Sequence, residues 1–127
     1  MEKKRILIVD DEKSFTSILR INLESVGNYD VTVENDSNKA FSTALHLKPD
    51  LILLDVMMPQ KEGPDVAMEI RNNKVLQETP IVFLTATVTT EEVKSQGGWI
   101  GGHPFIAKPS RLDVLLNSIE ANFKADE

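Results

Sequence analysis

Short apolar runs alternate with amphipathic segments along the whole chain. The runs are too short for helices and contain many β-branched residues, a combination that predicts buried strands. The run LILLD is apolar up to its last residue, Asp55, whereas the run YDVTV alternates around Val31 and Val33 and predicts a strand nearer the sheet edge. The predicted strands cover residues 5–10, 29–33, 51–55, 80–85 and 105–107.

Between these runs, apolar side chains recur at helical spacing and predict amphipathic helices. Gly27 caps the first helix, and Pro64 opens the third. A weaker helix is predicted over residues 89–96, with a short or frayed end because residues 97–102 contain four glycines. The predicted buried positions are Phe15, Ile18, Leu19, Leu23 and Val26 in the first helix, Ala40, Phe41, Ala44 and Leu45 in the second, Val66, Ala67 and Ile70 in the third, and Leu112, Leu115, Leu116, Ile119 and Phe123 in the last.

This alternation of strand and helix predicts an α/β fold with a parallel sheet covered by helices on both faces. Right-handed crossovers between parallel strands restrict the topology to a doubly wound sheet. A length of 127 residues suits one domain with one core region. Sheets of this kind bind ligands beyond the carboxyl ends of their strands, so candidate chemistry is expected there.

Composition narrows the function further. A net charge of −6 argues against electrostatic binding to nucleic acid or to an anionic membrane, but is compatible with a basic partner or a bound cation. The sequence contains no cysteine, so disulfide and thiolate chemistry are excluded. The apolar runs are too short to span a bilayer or to form a signal peptide, and we therefore expect a cytoplasmic protein.

Polar residues with complementary chemistry follow the predicted strands. Asp10 and Asp11 follow the first, Asp55 ends the third, Thr85 ends the fourth, and Lys108 follows the fifth. Converging carboxylates repel one another unless a cation joins them, and ligands that are all oxygen favour Mg²⁺ or a similar hard divalent ion. With an ammonium and a hydroxyl beside it, Asp55 is a candidate nucleophile for a phosphoryl group.

Each of these residues has a simpler interpretation when taken alone. An aspartate at a strand end is more often a loop starter or a helix cap, and a single lysine is more often solvated. The joint pattern favours a site, because all of the residues fall at carboxyl ends of strands in one order of strand and helix. If the carboxylates converge, removing either Asp10 or Asp55 is expected to relieve repulsion and stabilise the metal-free protein.

The sequence resembles the receiver domain of two-component response regulators. The motifs ILIVDDEK, DLILLDVMMPQKEG, IVFLTA and PFIAKPS carry the resemblance, which extends over residues 4–123. It implies a flavodoxin-like fold with a five-stranded parallel sheet of order 2-1-3-4-5 flanked by five helices. We accordingly expect residues 1–127 to form a single receiver domain.

The resemblance also implies roles for the acidic residues. Asp55 would accept a phosphoryl group from a phosphohistidine on a sensor histidine kinase or a phosphotransfer protein. Asp10, Asp11 and Asp55, with the backbone carbonyl of Met57, would hold Mg²⁺ or Mn²⁺.

Three further residues match the switch of the family. Thr85 and Lys108 would contact the phosphoryl oxygens, and Phe105 would turn inward on activation. The bond between Lys108 and Pro109 is cis in the family. The surface of the fourth helix, fifth strand and fifth helix would then change and control an effector or a phosphorylation-dependent dimer, without direct contact to nucleic acid or membrane.

Three rival functions fit the sequence less well. A phosphatase of the haloacid dehalogenase type requires a second carboxylate two positions after the nucleophile, where this chain has Met57. A nucleotide-binding module requires glycines after the first strand, where residues 11–14 read DEKS. A phosphorylation-independent interaction domain does not explain why every site position is filled. We therefore expect a signalling domain without steady-state enzyme activity.

Overall fold

The computed structural model describes residues 2–86, 103–108 and 111–123, together with the backbone of residues 99–100. The helix predicted over residues 89–96 lies outside these ranges. Across the described ranges, every helix lacks the length and apolar content that a bilayer span requires. The elements are β1 (Lys4–Val9), α1 (Lys13–Ser25), β2 (Tyr29–Glu34), a 3₁₀ turn (Ser37–Lys39), α2 (Ala40–Leu47), β3 (Leu51–Asp55), α3 (Gly63–Arg71), β4 (Ile81–Thr85), β5 (Trp99–Ile100), β6 (His103–Ala107) and α4 (Leu112–Asn122).

The strands form one sheet of order β2-β1-β3-β4-β6-β5. The first five strands in this order are parallel and correspond to the five predicted strands, so the doubly wound, flavodoxin-like order is confirmed. The sixth strand, β5, was not predicted. It covers only two residues and pairs antiparallel with β6, with Trp99 opposite Pro104 and Ile100 opposite His103.

Alternate residues of the central strands point to opposite faces of the sheet and build two cores. One core lies under α2 and α3 and contains Leu7, Ile52, Leu54 and Phe83 among its strand residues. The other lies under α1 and α4, where β1 contributes Ile6 and Ile8, β3 contributes Leu51 and Leu53, and β4 contributes Val82 and Leu84. Helices cover both faces of this sheet, so ligand-binding residues are expected at its carboxyl edge.

The buried stripes of the helices are narrower than the sequence predicts. In α1 the stripe passes through Thr16, Leu19 and Leu23, whereas Ile18 is 61% exposed. Ile18 is adjacent to Leu19 in sequence and therefore about 100° around the helix from it, so it turns out of the stripe. Other predicted core residues are exposed or only partly buried: Phe15, Val26, Phe41, Leu45, Leu112, Leu116 and Phe123.

Both predicted helix boundaries are confirmed. Gly27 follows α1 with a positive φ of 92°, a conformation that costs glycine little because it has no Cβ. Pro64 lies in the first turn of α3, where its missing N–H leaves no intrahelical hydrogen bond unmade.

Candidate functional site

Asp10 directly follows β1 and is fully buried. Its backbone N–H donates to the Glu34 carbonyl oxygen at 3.2 Å, and its own carbonyl accepts from Asn35 Nδ2 at 2.7 Å. Its carboxylate accepts from the Glu12 N–H at 2.9 Å through Oδ1 and from Lys108 Nζ at 2.7 Å through Oδ2. Hydrogen bonds therefore fix both the backbone and the carboxylate of Asp10.

Asp55 is the last residue of β3, a strand in which all five residues are buried. Strand pairing continues past it, because the Val56 N–H donates to the Leu84 carbonyl oxygen at 3.1 Å. Gly63, the first residue of α3, packs directly on this backbone and donates its N–H to the Val56 carbonyl oxygen at 2.8 Å. A Cβ at Gly63 would collide with the Asp55 carbonyl oxygen, so only glycine permits this approach.

The predicted convergence of the three carboxylates is confirmed. Oxygen atoms of Asp10, Asp11 and Asp55 lie within 4.8 Å of one another, and Asp10 and Asp55 are buried. Burial, and then the negative charge of Asp10, raises the pKa of Asp55 from 3.8 to about 6, against the opposing effect of Lys108. Asp55 is therefore a carboxylate whose charge the protein stabilises poorly.

Lys108 brings a positive charge into this cluster. Its backbone N–H donates to the Thr85 carbonyl oxygen at 2.8 Å, so the pairing of β4 with β6 places it at the site. Its Nζ lies 2.7 Å from Asp10, 3.2 Å from Glu12 and 3.6 Å from Asp55, and the side chain is 7% exposed. Burial lowers the pKa of Lys108, but the bonds and charges of these carboxylates outweigh burial and raise it overall.

Sequence reasoning missed two contacts of Lys108. Glu12, which the sequence places in an acidic loop, accepts from Lys108 Nζ through its Oε1. Phe15, which the helical periodicity predicts on the core face of the first helix, has its ring centroid 4.5 Å from the same ammonium, a cation–π contact. The available signal was the sequence DDEKSF, in which Glu12 directly follows the acidic pair and Phe15 lies in the first turn of α1.

The remaining predicted site residues lie at the same edge or close behind it. Thr85 is buried at the end of β4 and lies opposite Ala107 of β6. Phe105 is buried beside its register partner Phe83, so its ring already faces the core. Met57 follows β3 in a loop, with an exposed side chain. The predicted cis bond at Lys108 involves Pro109, which lies outside the described residues.

The charges at this edge do not balance. Among the described residues, the ammonium of Lys108 stands against four carboxylates, those of Asp10, Asp11, Asp55 and Glu12, so the cluster keeps excess negative charge that a cation would offset. The cluster offers oxygen donors only, which suits a hard ion such as Mg²⁺. The site therefore has the composition of a small site for a divalent cation.

Several solved structures of receiver domains share this fold. The chain is 27% identical to the chemotaxis protein CheY4 of Vibrio cholerae, with a TM-score of 0.81 and coverage of 95% of this chain and 99% of that one. It is 25% identical to a Francisella response regulator receiver domain, with a TM-score of 0.77 and coverage of 94% and 95%.

A third solved structure is informative about the cleft. The receiver domain of a sensor histidine kinase from Pseudomonas aeruginosa is 26% identical, with a TM-score of 0.79 and coverage of 94% of this chain and 96% of that one. That structure is described with a magnesium ion coordinated in its active site cleft. The model of the response regulator receiver domain family matches residues 6–120. Because this match covers most of the chain, and because the acidic cluster lies at the carboxyl edge of the same fold, the chain belongs to the response regulator receiver domain family.

Proposed function

We propose that residues 1–127 act as one phosphoacceptor domain of a two-component or phosphorelay system, with Asp55 as the phosphorylated residue. The observation that carries the proposal is the convergence of Asp10, Asp11 and Asp55 beside the ammonium of Lys108. The donor would be a phosphohistidine on a sensor histidine kinase or a phosphotransfer protein. The recipient of the signal would be an effector or a second copy of the chain.

The reaction is a displacement at phosphorus. An ionised Asp55 oxygen forms the new bond to phosphorus while the phosphorus–nitrogen bond of the donor breaks, and its electron pair remains on the imidazole nitrogen. Such transfers depend mainly on positioning and on neutralising charge. β3 aims Asp55 from a rigid, fully buried strand, and Lys108 offsets the charge of the incoming group.

Asp10, Asp11, Asp55 and the Met57 carbonyl would hold Mg²⁺ or Mn²⁺. The carboxylates fit such an ion because their oxygens lie within 4.8 Å of one another and carry excess negative charge. When bound, the ion supplies positive charge that offsets the negative phosphoryl oxygens. The magnesium ion described in the Pseudomonas aeruginosa relative supports this assignment.

Thr85 and Phe105 would convert phosphorylation into a change of surface. The Thr85 hydroxyl would donate to a phosphoryl oxygen and draw the end of β4 inward. Phe105 lies on the neighbouring strand opposite Phe83, and Phe83 precedes Thr85 by two residues and shares its face of the sheet. Because the Phe105 ring already faces the core, its part would be to keep this buried position when Thr85 moves, not to turn inward from solvent. The affected surface would comprise residues 89–96, β6 and α4.

The first test is chemical labelling. Acetyl phosphate with Mg²⁺ should phosphorylate the wild type. Asp55→Asn should abolish labelling, because an amide replaces the nucleophilic carboxylate. Asp65→Asn, which changes an exposed carboxylate in the first turn of α3, is the matched control and should label normally. Equal labelling of Asp55→Asn, or labelling that persists in excess chelator, would contradict the proposal. Steady-state turnover of a phosphate ester would instead favour the phosphatase.

A further inference from the structure

Two buried hydroxyl groups lie outside the proposed reaction. Of the five buried polar residues in the described chain, Asp10, Asp55 and Thr85 belong to the candidate site, whereas Thr16 and Ser37 do not. Both hydroxyls form hydrogen bonds that connect to the segment after β2. We call residues 34–39, from the last residue of β2 to the end of the 3₁₀ turn, the β2–α2 turn.

Asn35 ties the β2–α2 turn to the loop that carries the acidic pair. The β1–β2 ladder ends with the Asp10 N–H on the Glu34 carbonyl, and one residue later Asn35 Nδ2 donates to the Asp10 carbonyl at 2.7 Å. The same amide lies 3.1 Å from the hydroxyl of Thr16, which itself donates to the Lys13 carbonyl at 3.1 Å. The Asn35 side chain therefore extends the ladder past the end of the strand and reaches the first turn of α1.

Ser37 ties the same turn to the loop after Asp55. Its hydroxyl is buried and donates to the Pro59 carbonyl oxygen at 2.8 Å. The Lys61 N–H donates to that carbonyl at 2.8 Å, so Pro59 is held from both sides. Met57, whose carbonyl belongs to the proposed metal site, lies two residues before Pro59.

The β2–α2 turn is braced internally. Glu34 accepts from the Thr43 hydroxyl at 2.6 Å and from the Asp36 N–H at 3.1 Å. The Asp36 carboxylate in turn accepts from the Asn38 N–H at 2.9 Å and caps the 3₁₀ turn. The turn is also bonded at its exposed side, where Asn38 Nδ2 donates to Gln60 Oε1 at 3.3 Å. Because the turn is fixed to α2 and to itself, the buried bonds of Asn35 and Ser37 fix the two site loops relative to each other.

We propose that Asn35 and Ser37 are positioning residues that set the spacing between the acidic pair at residues 10–11 and the loop at residues 56–59. The inference rests on the proposed function, since it assigns these residues to the metal site of that reaction. Neither residue contacts the reacting atoms. Asn35 acts through the Asp10 carbonyl, and Ser37 acts through the Pro59 carbonyl. Loss of either bond would free the corresponding site loop to change its position.

The first experiment measures the Mg²⁺ concentration for half-maximal labelling by acetyl phosphate. Outer partners of metal ligands typically contribute 10- to 100-fold in affinity, so Asn35→Ala and Ser37→Ala should each raise this concentration about tenfold. Labelling at saturating Mg²⁺ should stay within about twofold of wild type, because the reacting groups remain. A purely structural role would lower the labelled fraction and leave the half-maximal concentration unchanged.

The matched controls are Asn22→Ala on α1 and Ser42→Ala on α2. Both side chains are exposed, and the Ser42 hydroxyl bonds only locally, to the Lys39 carbonyl. Asn35→Asp keeps the shape but replaces the donor with an oxygen facing the Asp10 carbonyl, so it should match or exceed the effect of Asn35→Ala. Wild-type Mg²⁺ dependence in all three test variants would overturn the proposal.

Amide hydrogen exchange without metal separates this inference from the proposed function. Asn35→Ala should speed exchange of the Glu12 amide, which bonds to the Asp10 carboxylate, by at least about tenfold. Ser37→Ala should do the same for the Lys61 amide. Core amides such as that of Leu53 should keep wild-type rates. If wild type is not labelled, the proposed function fails; unchanged exchange at both amides would overturn the positioning role in either case.

Discussion

At the scale of single residues, the two buried carboxylates of the site differ in their electrostatic environment. Asp10 has a direct bond to Lys108 and accepts a backbone N–H, whereas Asp55 lies 3.6 Å from the same ammonium. Burial and the charge of Asp10 raise the pKa of Asp55 to about 6. From the sequence, removal of either aspartate is expected to stabilise the metal-free protein. The structure instead predicts opposite effects of the two substitutions on stability.

Asp55→Asn should stabilise the metal-free protein at neutral pH but not in acid. The pKa of Asp55 in the folded protein, about 6, exceeds the reference value of 3.8. Between these two pH values the folded state therefore binds more protons than the unfolded state, and the stability of the wild type falls as pH rises. The gain should be on the order of 1–3 kcal/mol in the free energy of unfolding, because solvent screens part of the unfavourable interaction. Urea unfolding in chelator should show this gain at pH 7 and none near pH 3.5.

Asp10→Ala provides the contrast in the same measurement. It removes the carboxylate that accepts from the Glu12 amide and from buried Lys108, and we expect a loss of about 1–3 kcal/mol at pH 7. A gain of stability in Asp10→Ala would mean that repulsion outweighs these bonds. A flat difference between Asp55→Asn and wild type from pH 3.5 to 7 would contradict the environment described for Asp55.

At the scale of elements, α4 is attached to the sheet by a stripe narrower than its apolar sequence. Leu115 and Ile119 are buried against β1, β3 and β4, whereas Leu116 is only partly buried. At its far end, the carboxylate of Glu120 accepts from the Tyr29 hydroxyl at 2.6 Å. Burial, reinforced by this carboxylate, raises the pKa of Tyr29. The helix is therefore fixed at one face and at its end.

Ile119→Ala should destabilise the protein far more than Leu116→Ala. Ile119 is fully buried, so its truncation leaves a cavity and should lower the free energy of unfolding by about 2–5 kcal/mol. Leu116 retains solvent contact and should lose less than half of that amount. Chemical unfolding of both variants measures the difference. Equal losses would show that the stripe is wider than the structure indicates.

At the scale of the whole molecule, the site connects the two halves of the sheet. β1 and β3 supply the carboxylates, while β4 and β6 supply Thr85 and Lys108. Lys108 bonds to the Thr85 carbonyl through its backbone and to Asp10 through its side chain. Occupation of the site by a phosphoryl group would therefore act on the position of β4 and β6 together.

Beryllium fluoride with Mg²⁺, a mimic of the phosphoryl group, should change the amide spectra of residues 86–106 and the fluorescence of Trp99. Thr85→Ala should bind the mimic but show a much smaller change, because the hydroxyl that would draw β4 inward is gone. Thr32→Ala in β2, at the opposite edge of the sheet, is the control and should respond as wild type does. Tight binding with unchanged spectra in residues 86–106 would place the output surface elsewhere.

The sequence alone determined the five parallel strands, the doubly wound sheet and the residues at its carboxyl edge. These features depend on local periodicity, and Asp55 ends its strand whatever surrounds it. Only the tertiary structure decided which carboxylate Lys108 binds, because that bond joins residues 98 positions apart. It also decided that Ile18 is exposed and that Asn35 and Ser37 brace the site. Burial and long-range hydrogen bonds depend on the packing of whole elements, which no local pattern encodes.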